Sequence, residues 1–290
     1  MTLKQIINRA RETLTANNIE DARLESELLL RHVLNISQTQ LYLDIDHELS
    51  PEQENDFRQL VERRLKGEPA AYITGHREFY RLDFYVDPSV LIPRPESELL
   101  VEKALQLAQH RPLTTIAEIG TGCGAIAISL ALNLPQSKIY ATDISAAALG
   151  IAQVNCQRHG VTDRVHLLLG DMLKPVPEPA DLIVANLPYV RESELTAQIS
   201  FEPRLALDGG QDGLDKIRRL SRQLNKHLRP EGYLLLEMGQ GQQKAITALL
   251  SHLFPSAEIE VAPDLAGIDR AAILHLAKSS RSASGQRSSG

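Results

Sequence analysis

The chain has 290 residues, 43% of them hydrophobic and 23% charged, with a formal net charge of −6, which suits one large α/β domain plus a small second one. It has no apolar run long enough to span a membrane, and Lys4, Arg9 and Arg11 break up any signal-peptide pattern. The acidic balance argues against a large nucleic-acid footprint, and Cys123, Cys156 and the scattered histidines form neither a disulfide framework nor a metal set. A cytoplasmic protein without membrane contact or metal is expected.

Residues 1–66 read as a small helical bundle. Thr2 with Gln5, Ser37 with Gln40, and Ser50 with Gln53 have capping-box spacing, and Pro51 falls at a first helical position. Leu24, Leu28, Leu29 and Val33 form one apolar stripe, and Phe57, Leu60, Val61 and Leu65 form another. No catalytic set appears here, so a docking domain and a stabilising cap are both open. Residues 67–95 read as a β-hairpin linker, with Tyr72-Ile73-Thr74-Gly75 and then Leu82, Phe84 and Val86 at period two. Leu91-Ile92-Pro93-Arg94-Pro95-Glu96-Ser97-Glu98 follows as a stiff lead into a helix, readable as a helix entry or as the edge of a substrate site.

Thr115-Ile116-Ala117-Glu118-Ile119 is a short strand that runs into Gly120-Thr121-Gly122-Cys123-Gly124 and an apolar helix over 125–132. Glycines there allow a close backbone approach to a ligand. The Gly-x-Gly-x-Gly spacing departs from the dinucleotide fingerprint and points to a smaller nucleoside. A second strand over 138–142 ends at Asp143, in position for ribose hydroxyls, and a third, Val165–Leu169, ends at Gly170-Asp171, with Asp171 placed for an adenine amino group. Glu118 either meets a cationic amino group or satisfies backbone N–H groups of the turn.

Asp181-Leu182-Ile183-Val184-Ala185 is the pattern of a strand covered on both faces, and it meets Asn186-Leu187-Pro188-Tyr189. Asn186 therefore stands at a strand's carboxyl end, where open α/β sheets place ligands. The Asn186 side-chain oxygen and the Leu187 carbonyl can accept the two N–H bonds of an amide or adenine amino group. Such acceptors expose a lone pair that delocalisation otherwise withholds. Pro188 keeps Leu187 extended, and Tyr189 offers a flat face. Beyond the corner, Phe201-Glu202-Pro203-Arg204 and a rim loop at 207–213 precede a helix over 214–228, a strand over 232–238 and a helix over 242–253. Strands near Ile259 and over 272–276 make an antiparallel edge, with 264–270 as their turn. The tail 279–290 is too polar to bury a core and is expected to be disordered.

With these residues in place, the chain resembles the HemK/PrmC-type peptide chain release factor glutamine methyltransferases, class I enzymes that use S-adenosylmethionine. The resemblance rests on residues 67–75, Arg77-Glu78-Phe79, 91–98, 118–124, Asn186 to Tyr189, and Asp264-Leu265-Ala266-Gly267 with Asp269-Arg270. It implies a Rossmann-like domain over 96–278, a mostly parallel seven-stranded sheet with an antiparallel edge strand, behind the helical bundle and hairpin linker. It implies cofactor contacts from Glu118, Gly120, Thr121, Gly122, Gly124, Asp143, Ile144, Asp171, Met172 and Asn186. Catalysis would fall to Asn186, Leu187, Pro188 and Tyr189, with Arg94 and Glu202 joining them on the substrate. The implied acceptor is the glutamine of a Gly-Gly-Gln motif in class I release factors, bound by a monomer without nucleic-acid contact. The family's usual corner is Asn-Pro-Pro-Tyr; Leu187 keeps the needed carbonyl, with a looser loop and a lower rate expected. Related ribosomal-protein glutamine methyltransferases, adenine amino-methyltransferases and a silent cofactor-binding module are the alternatives.

Overall fold

Residues 1–195 and 201–276 are described by the computed structural model; the expected tail 279–290 lies outside the described residues. The chain divides into two units, one of residues 1–76 and 86–88, the other of residues 77–85 and 89 onward.

The first unit is built from α1 (Leu3–Ala16), α2 (Ala22–Leu34), α3 (Gln38–Leu43), α4 (Pro51–Leu65) and α5 (Ala70–Thr74). The capping boxes at Thr2 and Ser50 are complete. The one at Ser37 is half made: Ser37 accepts the Gln40 N–H, but the Gln40 side chain turns to Asp44 instead of reaching back. The expected stripe on α2 also shifts. Ala22, Ser26, Leu29 and Leu30 are buried, while Leu24, on the opposite side of the helix, is 59% exposed. Phe57 and Val61 on α4 close the same core, with Leu60 and Leu65 packed against it. Tyr72-Ile73-Thr74, expected as a strand, is helical. The Tyr72 and Ile73 N–H groups bond the Pro69 carbonyl at 3.0 and 3.1 Å, and Gly75 ends the turn in the left-handed region at φ 73°.

A hairpin of β1 (His76–Phe79) and β2 (Leu82–Tyr85), in the second unit from Arg77 on, precedes α6 (Glu98–His110), β3 (Thr115–Ile119), α7 (Ala125–Asn133), β4 (Lys138–Asp143), α8 (Ala146–Arg158) and β5 (Val165–Leu169). There follow β6 (Ala180–Ala185), α9 (Asp215–Ser221), α10 (Leu224–His227), β7 (Leu228–Glu237), α11 (Gln243–Leu253), β8 (Glu258–Pro263) and β9 (Asp269–His275). The seven-stranded sheet has the order β5-β4-β3-β6-β7-β9-β8. Its first five strands are parallel, and β9 runs antiparallel to both β7 and β8 at this edge of the sheet. Every residue of β3 and of β6 is buried, as strands covered by helices on both faces require.

Three expected boundaries move, and the first is the strand predicted over 272–276, which spans Asp269–His275 and so takes in the last two residues of the expected turn 264–270. The helix predicted over 214–228 is two helices, because Gln223 tightens the turn with an N–H bond of 2.8 Å to the Leu220 carbonyl while its side chain accepts the Leu173 N–H at 3.1 Å. The strand predicted from 232 begins at Leu228, which pairs with Ala180, and a register shift before the Leu182–Tyr233 pair absorbs the intervening residues.

Register decides which strand ends meet. The order of strands reverses direction at β3, so the gap between β3 and β6 is the switch point at which open sheets bind ligands. Ile119 pairs with Ala185 and with Thr142, and Ala185 pairs with Leu236. The next residues, Gly120, Asn186, Asp143 and Glu237, are thereby brought to one end of the sheet.

Candidate functional site

At the end of β6 the Asn186 side-chain nitrogen donates to the Ser97 hydroxyl at 2.8 Å. Ser97 in turn donates to Glu237 Oε2 at 2.6 Å. The Tyr189 hydroxyl reaches the other Glu237 oxygen at 3.4 Å. Burial pushes the Glu237 pKa up to about 7 despite the Ser97 bond, with Glu96 adding to the rise and Arg270 opposing it. Burial likewise raises the Tyr189 phenol to about 12, so it stays neutral. Leu187 is 3% exposed in the core cluster that includes Ile119, Ala185 and Leu236, which anchors the corner through its side chain and leaves the carbonyl as its polar offering.

The backbone of Tyr189-Val190 is clamped from several sides. Gln242 Nε2 donates to the Tyr189 carbonyl at 3.1 Å, and Val190 exchanges bonds with the rim loop through the Leu207 carbonyl and the Gly209 N–H, at 3.0 and 2.9 Å. A Cβ on Gly213 would stand 2.4 Å from the Tyr189 carbonyl oxygen, and φ there is 78°. Glycine is required at that approach. Arg94 and Glu202 pair with each other at 2.5 Å, and Glu202 also accepts the Ile92 N–H at 3.1 Å.

On the other side of the corner lies a crevice over the ends of β3, β4 and β5. Gly120, Gly122, Asp143, Ile144, Asp171 and Met172 line it, together with Asn186, Leu187 and Pro188. Asp143 accepts the N–H groups of Gly122 and Ser145 at 3.0 and 2.9 Å, one on each oxygen, fixing the glycine turn against the next loop. Met172 holds a left-handed φ of 54°, and its carbonyl accepts the Thr142 hydroxyl at 3.0 Å. Arg219 and Lys174 both bond Asp171 Oδ2, at 2.6 and 2.8 Å. Burial alone would raise the Asp171 pKa, but these two cations hold it below the usual carboxylate value.

Three of the residues expected at this ligand lie behind the crevice wall. Glu118, 2% exposed, accepts the Thr121 hydroxyl at 2.5 Å and the Ala127 N–H at 3.1 Å, so it satisfies a backbone donor in the first turn of α7. Burial pushes its pKa up to about 8. Gly124 packs against Ile128 and Ala152, where a Cβ would stand 3.0 and 3.4 Å away.

A second cavity opens across the same wall. Asn186, Leu187 and Pro188 line it too, joined by Arg94, Tyr189 and Glu237. Glu202 lines neither cavity and acts on the second through Arg94. Asp143 and Asp171, carboxylates suited to hydroxyl and amino donors, line the first cavity, and Asn186 and Leu187, which carry amide and carbonyl acceptors, line the second with Tyr189. Sequence reasoning missed Ser97, Glu237, Gln242 and Gly213 as parts of this site. The one local signal was Glu237 itself, a carboxylate closing the apolar run Leu234-Leu235-Leu236. Among the described residues no cluster of His, Cys, Asp and Glu could hold a metal ion, and no helix is long and apolar enough to cross a membrane.

Comparison with known proteins gives two family models that match this chain, the PrmC N-terminal domain over residues 5–75 and the methyltransferase small domain over residues 95–203. A release factor glutamine methyltransferase of Moorella thermoacetica is 44% identical over 274 residues, covering 93% of this chain and 97% of its own length. Another from Bordetella pertussis is 44% identical over 253 residues, covering 86% and 93%. Among solved structures, a methyltransferase from Pyrococcus furiosus matches with a TM-score of 0.54 at 21% identity, over 76% of this chain and 98% of that one; this likeness is one of fold.

Proposed function

The chain belongs to the release factor glutamine methyltransferase family, and on that premise we propose that it methylates the side-chain amide nitrogen of the Gly-Gly-Gln glutamine in class I peptide chain release factors, with S-adenosylmethionine as donor. The observation that carries the reading is that Asn186, Leu187 and Pro188 line both the crevice over the ends of β3, β4 and β5 and the second cavity.

The residues fit that donor. Nothing stands within 4 Å of where a Gly122 Cβ would be, so the backbone of the turn is open to a ligand. Asp143 can accept ribose hydroxyls while keeping its two backbone bonds, since each carboxylate oxygen takes more than one. Asp171 retains Oδ1 for an adenine amino group, and Ile144 and Met172 offer apolar surface to the base. Glu118, Thr121 and Gly124 shape the turn from behind. When bound, S-adenosylmethionine supplies an electrophilic methyl group.

The chain's own residues prepare the acceptor. Asn186 Oδ1 and the Leu187 carbonyl take the two N–H bonds of the glutamine amide and draw its nitrogen out of conjugation. Tyr189, neutral and clamped, lies beside the amide plane, and Arg94, held by Glu202, edges the cavity. The methylated nitrogen loses one of its protons to water, so no side chain need act as general base. Positioning and preorganised acceptors then provide the acceleration. The helical residues 1–66 serve as the docking region, 67–95 as the linker and 96–278 as the methyltransferase domain of a cytoplasmic monomer that makes no direct nucleic-acid contact.

Asn186→Ala tests the assignment. Methyl transfer should be abolished while affinity for S-adenosylmethionine, measured calorimetrically, stays nearly intact. A variant with near-normal turnover would remove Asn186 from its role.

A further inference from the structure

A primary amide can face either way, and Asn186 can hold an acceptor's N–H only with its oxygen toward the substrate cavity. The bonds behind it determine which way it faces. Ser97 carries a single hydroxyl proton, and its oxygen lies 2.6 Å from Glu237 Oε2. Above its raised pKa of about 7 the carboxylate is ionised and only accepts, so there Ser97 must donate to it. The Ser97 oxygen is then left with lone pairs alone, and its neighbour at 2.8 Å on Asn186 must be the amide nitrogen. The Asn186 oxygen is thereby assigned to the other branch of the amide.

We propose that Glu237, acting through Ser97, is a positioning residue that orients the Asn186 amide with its oxygen toward the methyl acceptor; this rests on the role given to Asn186 above. Both relay residues are sealed from water, Ser97 at 3% exposure and Glu237 at 2%. The 3-10 turn Pro95–Ser97 carries the serine, whose N–H bonds the Arg94 carbonyl at 3.1 Å, and strand pairing of Ala185 with Leu236 sets the carboxylate beside it. The second oxygen of the same carboxylate receives the Tyr189 hydroxyl, so one buried group serves both polar side chains of the corner. Burial costly enough to raise the carboxylate's pKa to about 7 falls at a position where an apolar residue would pack more cheaply.

Glu237→Leu removes both acceptor oxygens, which frees the serine proton for Asn186 and favours the reversed amide. Ser97→Ala removes the link. Single-turnover methyl transfer to a release factor, cofactor affinity and thermal melting are measured for wild type, both single variants and the double variant. Each single variant should lose transfer rate by roughly 10- to 100-fold while cofactor affinity holds within about twofold. The double variant should lose no more than the worse single one, because both act through one relay. A wild-type rate in Glu237→Leu, which tests the relay even if Ser97→Ala folds poorly, overturns the proposal. So do losses that multiply in the double variant. An inactive wild type overturns the functional reading and the relay with it, whereas an active wild type with unaffected variants overturns the relay alone.

Discussion

Two buried carboxyl groups, Glu118 in β3 and Glu237 at the end of β7, couple the site to pH. Burial raises the first to about 8 and the second to about 7, from an ordinary value of 4.5. Below about pH 4.5 these groups are neutral in both folded and unfolded chains. As pH rises, the unfolded chain ionises first, so their contribution to stability is lost progressively until pH passes the folded values. Glu118→Gln keeps an oxygen for Thr121 and for the Ala127 N–H while removing the charge, so it should melt close to wild type at pH 5 and higher than wild type at pH 8. The gain should be on the order of a few kcal/mol, since each pKa unit is worth ~1.4 kcal/mol. A difference that does not change between the two pH values would contradict the buried-charge assignment. Leu187 shows how one residue can serve two scales. The sequence argument used only its carbonyl, and the structure adds a buried side chain that substitutes packing for the stiffness of a proline.

At the scale of elements, the rim loop and the Asn186 corner are a single clamp. Gly213, at φ 78° and 2.4 Å from the Tyr189 carbonyl oxygen at its would-be Cβ, cannot gain a methyl group without moving that backbone. Gly213→Ala should therefore destabilise by about 1–3 kcal/mol and depress transfer. Gly241→Ala, at φ 83° but with nothing within 4 Å of its would-be Cβ, carries the backbone strain alone and should spare transfer. Equal activity in the two variants, measured beside denaturant melts, would show that the clamp does not hold Tyr189 in place. The strands β3 and β6 were legible because parallel strands buried on both faces leave unbroken apolar runs. Less of the rest was legible, because long-range partners decided it. The helix break at Gln223 depends on Leu173, the start of β7 depends on Ala180, and the helical turn at Ala70–Thr74 depends on Pro69 and Gly75 overriding a β-rich composition. The Gly120, Asp143, Asp171 and Asn186 positions could be read because each stands at or just past the end of a strand. Ser97 and Glu237 could not, being 140 residues apart and joined only by the folded register.

At the scale of the whole molecule, the helical unit and the methyltransferase-like unit match separate family models, and relatives cover nearly the full length of the chain. Fold class could be argued from strand and helix order alone. The substrate could not, because an Asn-x-Pro-Tyr corner suits an adenine amino group as well as a carboxamide, and the preference for release factors comes from family membership. The measurement that bears most directly on this is transfer of labelled methyl from S-adenosylmethionine to a purified release factor, alongside the same factor with Gln→Ala in its Gly-Gly-Gln motif. Label on the first and none on the second is the predicted result, fixing reaction, substrate and acceptor together. No label on either, with the cofactor shown to bind, would contradict the assignment and turn attention to ribosomal-protein and then nucleic-acid acceptors.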